Sequence, residues 1–215
     1  MEKTELLIAE KLLKIGAFKL QPDSPFVWGG GWSSPIYSDN RQALSHPDVR
    51  AAIKIELARA VMTYGDVDVV AGVATGAIAM GAIVADVLGV PYVYVRETPK
   101  DHGLENRIEG NILPGQRVVI IEDLLITGKA CLSAAQAVEE AGGIVTGVVA
   151  LFNYEFPVAA RALRKTKLPV TCVTNYSAMI QTALDAGVIQ PEDVKSLKQW
   201  HDDPEGWTPG EIELD

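Results

Sequence analysis

Two adjacent acids after an apolar run make residues 118–130 the most distinctive segment of the chain. Glu122 and Asp123 follow the four apolar residues 118–121, and Gly128 lies in a short loop before a helical pattern. Two carboxylates at the carboxyl end of a strand can accept hydrogen bonds from a vicinal diol, and N–H groups at a helix N-terminus suit a phosphate. A sugar phosphate offers both groups. For an isolated acidic pair, capping of the next helix is the more frequent explanation.

A second group of candidate residues is cationic. Arg96, Lys100 and His102 lie within seven residues, in a stretch that contains Pro99 and Gly103 and has no strand or helix periodicity. We predict a mobile loop. Cations on such a loop can close over an anionic ligand, neutralise charge that develops in a transition state and exclude water. Taken alone, a Lys-x-His sequence is more often part of a solvated surface loop.

Composition and charge exclude several classes of protein. The chain has 215 residues, and 19 Lys plus Arg against 28 Asp plus Glu give a net charge of −9, which disfavours a nucleic-acid partner. The hydrophobic fraction of 48% suits a soluble globular domain. The N-terminus has no apolar signal core, and the apolar stretch 69–85 is short for a membrane span and contains glycines. With only Cys131 and Cys172, we expect a cytoplasmic protein without a membrane partner.

Strands and helices alternate along the middle of the chain, which predicts an α/β fold. Short β-branched runs predict buried parallel strands at 68–72, 92–95, 117–121, 144–151 and 170–173. Helical spacing between them predicts helices at 76–88, 131–141 and 157–165. Ligands of such sheets bind beyond the carboxyl ends of the strands, so the loops there are the candidate site.

The two ends of the chain lack the regular alternation of strands and helices that the central region shows. We predict helices at 4–14, from Pro47 with Ser45 as its cap, and at 178–186 and 191–200, and a small irregular lobe over 21–40. The predicted organisation is one structural domain in three parts: an N-terminal helix and hood segment (1–45), an α/β core (46–190), and a C-terminal helix and tail (191–215).

Four segments together resemble a known family. Residues 118–130 resemble the phosphoribosyl-diphosphate motif of type I phosphoribosyltransferases, and Gly72-Val73-Ala74-Thr75-Gly76 is similar to their diphosphate-contacting loop. Ser34-Pro35-Ile36-Tyr37-Ser38-Asp39-Asn40-Arg41 and Tyr94-Val95-Arg96-Glu97-Thr98-Pro99-Lys100-Asp101-His102-Gly103 resemble segments of orotate phosphoribosyltransferases. The resemblance runs in order from about Leu6 to near Trp200.

The resemblance implies a fold, a reaction and partners. The fold is a mainly parallel sheet flanked by helices, with a small N-terminal hood. The reaction is that of a pentosyltransferase, which moves ribose 5-phosphate from phosphoribosyl diphosphate to orotate and yields orotidine 5'-monophosphate and diphosphate, a step of pyrimidine (UMP) synthesis. Mg²⁺ is the implied cofactor, carried by the diphosphate without a protein-built metal site. A homodimer with shared active sites is implied as well.

The resemblance also implies roles for individual residues. The implied catalytic residues are Lys100, Asp101 and His102. The implied phosphoribosyl-diphosphate site comprises Thr75, Gly76, Arg96, Lys100, His102, Glu122, Asp123, Leu124, Leu125, Ile126, Thr127, Gly128, Lys129 and Ala130. The implied orotate site comprises Ser34, Tyr37 and Ile126.

Some positions depart from the family pattern and keep two alternatives open. Hydroxyl residues or Gly are usual where Ile126, Lys129 and Ala130 stand, and a second Lys is usual near Glu97-Thr98. Gly29-Gly30 replaces a usual Lys-Ser. These changes leave open a phosphoribosyltransferase for another base, or a weakly active regulator that binds nucleotides or phosphoribosyl diphosphate. The retained residues 100–102 and the acidic pair disfavour the regulator.

Overall fold

The computed structural model describes residues 2–21, 24–27, 33–98, 107–204 and 206–207. Its strands are β1 (Phe18–Leu20), β2 (Phe26–Val27), β3 (Ser33–Ser34), β4 (Ile36–Ser38), β5 (Val69–Val73), β6 (Tyr92–Val95), β7 (Ile108–Glu109), β8 (Arg117–Leu125), β9 (Ile144–Asn153) and β10 (Val170–Asn175). Its α-helices are α1 (Lys3–Lys14), α2 (Pro47–Met62), α3 (Ala77–Leu88), α4 (Lys129–Glu140), α5 (Pro157–Thr166), α6 (Tyr176–Asp185) and α7 (Asp193–Asp202), and a 3-10 helix spans Asn40–Ser45.

A six-stranded sheet forms the centre of the described structure, in the order β10-β9-β8-β5-β6-β7. Strands β10, β9, β8, β5 and β6 are mutually parallel, and β7 pairs antiparallel with β6. Because parallel strands end at the same edge, the residues that follow β5, β6 and β8 lie side by side. This confirms the predicted α/β class with a mainly parallel sheet.

Alternate residues of β8 pack into opposite faces of the sheet, because successive side chains of a strand point in opposite directions. Val119 and Ile121 belong to an apolar cluster that includes residues of α1, α2 and α3. Val118 and Ile120 belong to a second cluster, with residues of α4. Helices therefore cover both faces, and β8 is fixed in the middle of the core.

Most predicted elements are confirmed, but three boundaries were wrong in ways that concern the site. Strand β8 was predicted to stop before the acidic pair, yet it continues to Leu125 because Glu122, Leu124 and Leu125 pair with β9. Helix α4 begins at Lys129 instead of residue 131. Ser45 does not cap α2, since it ends the 3-10 helix and His46 is the N-cap.

The hood consists of two small antiparallel pairs, β1 with β4 and β2 with β3. It is joined to the core by a hydrogen bond of 2.9 Å between the hydroxyls of Ser38 and Tyr154. At the other end of the chain, Trp200 on α7 is 1% exposed and packs edge-on against Tyr154 and Phe156. No helix among the described residues is both long and apolar enough to span a bilayer.

Candidate active site

The acidic pair lies near the C-terminal end of β8, at the edge of the sheet where the parallel strands end. Glu122 is 4% exposed and Asp123 is partly buried. The Asp123 N–H donates to Glu122 Oε1 at 3.1 Å. Asn40, 3% exposed at the start of the 3-10 helix, donates from Nδ2 to the Asp123 carbonyl at 2.8 Å. The hood is thus fixed directly to the backbone of the pair.

Burial changes how the two carboxyls hold protons. Burial first, and then the neighbouring Asp123 charge, raise the pKa of Glu122 to about 8. Burial also raises the pKa of Asp123, while hydrogen bonding from Glu122 and the Arg41 charge act in the opposite direction. We infer that Glu122 holds the proton near neutral pH and that Asp123 is the charged member.

A pH dependence of stability follows for the free protein. Because the folded-state pKa of Glu122 is raised from 4.5, the unfolded chain releases this proton at lower pH than the folded one. The contribution of Glu122 to the free energy of unfolding is therefore fully present below about pH 4.5 and is lost as pH rises to about 8. Glu122→Gln is expected to remove this loss and to be the more stable protein at pH 8.

Thermal melts of the wild type and Glu122→Gln between pH 5 and 8.5 measure this difference. The matched control is Glu10→Gln, which changes an exposed glutamate on α1 and should keep the wild-type pH dependence. Parallel melting curves for wild type and Glu122→Gln across the whole range would contradict the assignment of the proton.

The loop after β8 leads into α4, and the N-cap residue supplies no side chain to its first N–H groups. Gly128 is that N-cap residue, with φ of 78°, a conformation that glycine adopts without strain. The Lys129 N–H donates to the Thr127 hydroxyl at 3.3 Å. The N–H groups of the first turn after Lys129 have no such side-chain acceptor among the described residues, and a helix N-terminus of this kind, with its positive dipole end, is suited to bind a phosphate.

A cavity of about 480 Å³ opens at this edge of the sheet. Of the predicted site residues, those that line it are Arg96, Glu122, Leu124, Leu125, Ile126, Thr127, Gly128, Lys129 and Ala130. The cavity combines one member of the acidic pair, a helix N-terminus and three cations, Arg96, Arg107 and Lys129. It can therefore hold a ligand that carries both hydroxyls and a phosphate.

The loop after β5 meets the acidic pair from the side. Gly76 lies so close to Asp123 that a methyl group in its place would overlap the carboxylate. The preceding Ala74–Thr75 peptide bond is cis. Thr75 and Gly76 do not line the described cavity, whereas Val73 and Ala74 do. The predicted grouping of this loop with Asp123 is thus present, and the glycine is needed for the close approach.

The predicted base-binding residues lie in the hood. Tyr37 is 38% exposed, and its ring centroid lies 5.6 Å from that of Phe26. The Ser34 hydroxyl donates to the Ile36 carbonyl at 2.8 Å and accepts from the Ile36 N–H at 3.2 Å. Ser34 is buried, and its hydroxyl is already paired within the turn. Neither Ser34 nor Tyr37 lines the described cavity.

The structure adds residues that the sequence did not single out. Arg107 and Ser133 line the cavity and hydrogen-bond to each other. The only sequence signal for Arg107 was its position a few residues after the cationic segment. The predicted catalytic residues Lys100, Asp101 and His102 lie outside the described residues.

The fold is that of the phosphoribosyltransferases, and a family model described as Phosphoribosyl transferase domain matches residues 41–186. Orotate phosphoribosyltransferase of Bacteroides fragilis is 52% identical over 211 residues, which are 98% of this chain and 100% of that protein. The chain therefore belongs to the orotate phosphoribosyltransferase family.

Solved structures of this family are also similar. Orotate phosphoribosyltransferase from Aeropyrum pernix matches with a TM-score of 0.73 and 25% identity, over 85% of this chain and 99% of that one. The Mycobacterium tuberculosis enzyme in complex with 5-phospho-alpha-D-ribosyl 1-diphosphate matches with a TM-score of 0.65 and 26% identity, over 82% of this chain and 98% of that one.

Proposed function

We propose that this chain transfers ribose 5-phosphate from phosphoribosyl diphosphate to a ring nitrogen of orotate, in pyrimidine synthesis. The observation that carries the proposal is the junction of β8 and α4, where Glu122 of the buried acidic pair and the N-terminus of α4 line one cavity. The 52% identity with an orotate phosphoribosyltransferase over nearly the whole chain supports orotate as the base.

The reaction needs no nucleophile from the protein. Departure of diphosphate leaves a cationic, oxocarbenium-like ribose, and the ring nitrogen of the base captures it, so that the C1–O bond breaks and a C1–N bond forms. The protein's task is to position the two reactants and to stabilise the charges that develop. We propose that Asp123, with Glu122, accepts hydrogen bonds from the ribose hydroxyls.

The phosphate end of the sugar is assigned to the loop after β8. Backbone N–H groups from Ile126 to Ala130 would cradle the 5-phosphate, with Thr127 as the remaining hydroxyl and Lys129 as a cation. Leu124 and Leu125 shape the floor of the same cavity. Because N–H groups do not depend on side-chain type, the replacements at Ile126 and Ala130 are compatible with phosphate binding.

The diphosphate end is assigned to the loops after β5 and β6. Thr75 and Gly76 would contact it, together with Arg96, Lys100 and His102. Lys100, Asp101 and His102 are proposed to act as the diphosphate leaves, the two cationic residues by neutralising its growing charge. This assignment rests on the sequence pattern alone for residues 100–102.

The base site is assigned to the hood and to Ile126 in the loop after β8. The Tyr37 ring is partly exposed beside Phe26 and can stack on a flat ring. Ile126 lies in the cavity wall. The Ser34 hydroxyl is already hydrogen-bonded to Ile36. We therefore assign Ser34 the role of holding the turn before Tyr37, which is a smaller role than the expected contact with orotate.

Mg²⁺ fits the donor chemistry of this site. The acidic pair supplies the oxygen ligands that Mg²⁺ prefers, and Mg²⁺ commonly uses one or two carboxylates together with substrate phosphates. Among the described residues, no group of three His, Cys, Asp or Glu side chains could hold a metal ion. We therefore propose that Mg²⁺ enters on the diphosphate, and that bound Mg²⁺ offsets the charge of the leaving group.

A homodimer with shared active sites and a cytoplasmic location complete the proposal. The dimer follows from the resemblance of residues 94–103 to a loop that reaches a neighbouring subunit's site. The two cysteines, Cys131 and Cys172, are free thiols, which suits a reducing compartment.

The deciding experiment follows the ultraviolet absorbance of orotate with purified protein, phosphoribosyl diphosphate and Mg²⁺. Uracil and hypoxanthine are tested in parallel as competing bases. We expect loss of orotate absorbance that requires phosphoribosyl diphosphate. Turnover of another base instead would overturn the orotate assignment, and binding of phosphoribosyl diphosphate without any turnover would favour a regulator.

A further inference from the structure

Arg107 is anchored between two walls of the cavity. Its Nε donates to the Arg96 carbonyl at 3.1 Å, and the Arg107 carbonyl accepts from the Arg96 N–H at 2.8 Å. Its Nη2 donates to the Ser133 hydroxyl at 2.8 Å and its Nη1 to the Ser133 carbonyl at 3.2 Å. The guanidinium is therefore held rigidly, with its orientation set by the end of β6 and by α4.

The anchor point on α4 lies close to the open helix N-terminus. Ser133 is four residues after Lys129, so the two side chains lie on the same face of the helix, one turn apart. Both residues line the cavity, and so does Arg107. The guanidinium thus lies one helical turn from the N–H groups that suit a phosphate.

The Arg107 guanidinium can offer a ligand both its positive charge and N–H donors. A guanidinium carries five N–H donors, and the contacts with Arg96 and Ser133 occupy three. Arg96, by comparison, is paired with Glu109 at 3.8 Å. Arg107 forms no ion pair with any carboxylate of the described residues. A cation held in a cavity wall in this way is suited to a phosphate, to which it can donate its two remaining N–H groups.

We propose that Arg107 is a phosphate-binding residue of this chain, which contacts the 5-phosphate of the sugar phosphate at the N-terminus of α4. The inference rests on the proposed function and deepens it. The 5-phosphate is favoured over the diphosphate because two of the three hydrogen bonds of the Arg107 guanidinium go to Ser133 on α4, and only one goes to the backbone of Arg96. The loop after β5, which is also assigned to the diphosphate, contacts Asp123 and leaves Thr75 and Gly76 outside the cavity. Arg107 thereby adds a side-chain cation to a phosphate loop with only one hydroxyl.

The test measures the binding of two probes by isothermal titration calorimetry. Ribose 5-phosphate carries the 5-phosphate only, and inorganic diphosphate stands for the leaving group. Arg107→Gln is expected to weaken ribose 5-phosphate by about 10- to 100-fold, the loss typical of charge-assisted hydrogen bonds. Its affinity for diphosphate should stay that of the wild type. Arg107→Lys keeps the charge but not the fork, so its loss should be smaller.

Two further variants separate ligand binding from a structural role. Ser133→Ala removes the acceptor of Nη2 and should weaken ribose 5-phosphate mildly, which keeps the inference testable if Arg107→Gln does not fold. The matched control is Arg117→Gln, at the opposite end of β8 and paired with Asp66 at 3.1 Å, which should bind both probes like the wild type.

The possible results distinguish this inference from the proposed function. Equal ribose 5-phosphate affinity in Arg107→Gln, or equal losses for both probes, would overturn the role of Arg107. The binding assays contain no base, so a selective loss in Arg107→Gln supports the inference even where orotate is not turned over. Wild-type protein that binds neither probe would overturn both.

Discussion

Asp123→Asn is expected to lower kcat/KM for phosphoribosyl diphosphate by about 10²- to 10⁴-fold. The carboxylate would accept hydrogen bonds from ribose hydroxyls, and hydrogen bonds to charged groups contribute about 1.5–3 kcal/mol each. Loss of two such bonds gives about 3–6 kcal/mol, since about 1.4 kcal/mol corresponds to a factor of ten. Steady-state kinetics with phosphoribosyl diphosphate as the varied substrate measures the effect, and both a higher KM and a lower kcat are expected.

Because Glu122 and Asp123 hold protons unequally, we expect different losses of kcat/KM when each is replaced by its amide. Burial and the Asp123 charge raise the pKa of Glu122 to about 8, so Glu122 is mostly neutral at pH 7 and Glu122→Gln removes little charge. Its loss of kcat/KM should therefore be smaller than that of Asp123→Asn. Asp123→Asn should melt no lower than the wild type, because burial also disfavours the Asp123 charge. Equal losses in the two variants would contradict the assigned charges.

The sequence predicted the parts of the site that depend on local pattern. The apolar run 118–121, the acidic pair and Gly128 identified a strand, a loop and a helix without any tertiary information. The fold class followed from the alternation of strands and helices, and the structure confirms it. These features are predictable because burial and glycine conformation act over a few neighbouring residues.

Other parts of the site depend on contacts between distant residues. Asn40 donates to the backbone of Asp123, 83 residues away, and no periodicity in either segment indicates that bond. Arg107 is a site residue only because Ser133, 26 residues away, holds its guanidinium in the cavity. The strand boundary at Leu125 likewise required β9 as a partner. These three features could not be predicted from the sequence because each depends on tertiary packing between distant segments.

These long-range contacts position separate segments of the chain around the site. Asn40 joins the N-terminal segment to the backbone of the acidic pair, and Arg107 joins the residue after β6 to α4 through hydrogen bonds to Arg96 and Ser133. A phosphate loop poor in hydroxyls gains a rigid cation from outside the loop. Positioning of this kind is where enzymes without a protein nucleophile gain most of their rate.

Lys100→Ala is expected to lower kcat by about 10²- to 10³-fold, the loss seen when one charge-stabilising donor is removed from an active site. The KM for phosphoribosyl diphosphate should change much less, because the charge on the leaving diphosphate grows only in the transition state. Pre-steady-state or steady-state kinetics at saturating substrate measures kcat. Lys198→Ala, which removes an exposed lysine paired with Asp202 on α7, is the matched control and should keep wild-type kcat.

Mixing two inactive variants tests the subunit that supplies Lys100. If Lys100 acts in the partner's site, a mixed dimer of Lys100→Ala and Asp123→Asn contains one site with both residues intact. Random exchange makes about half of the dimers mixed, so activity should return to about a quarter of the wild-type value. Activity that stays at the level of the separate variants after verified exchange would place Lys100 in its own subunit's site. Wild-type kcat in Lys100→Ala alone would exclude a catalytic role for this residue.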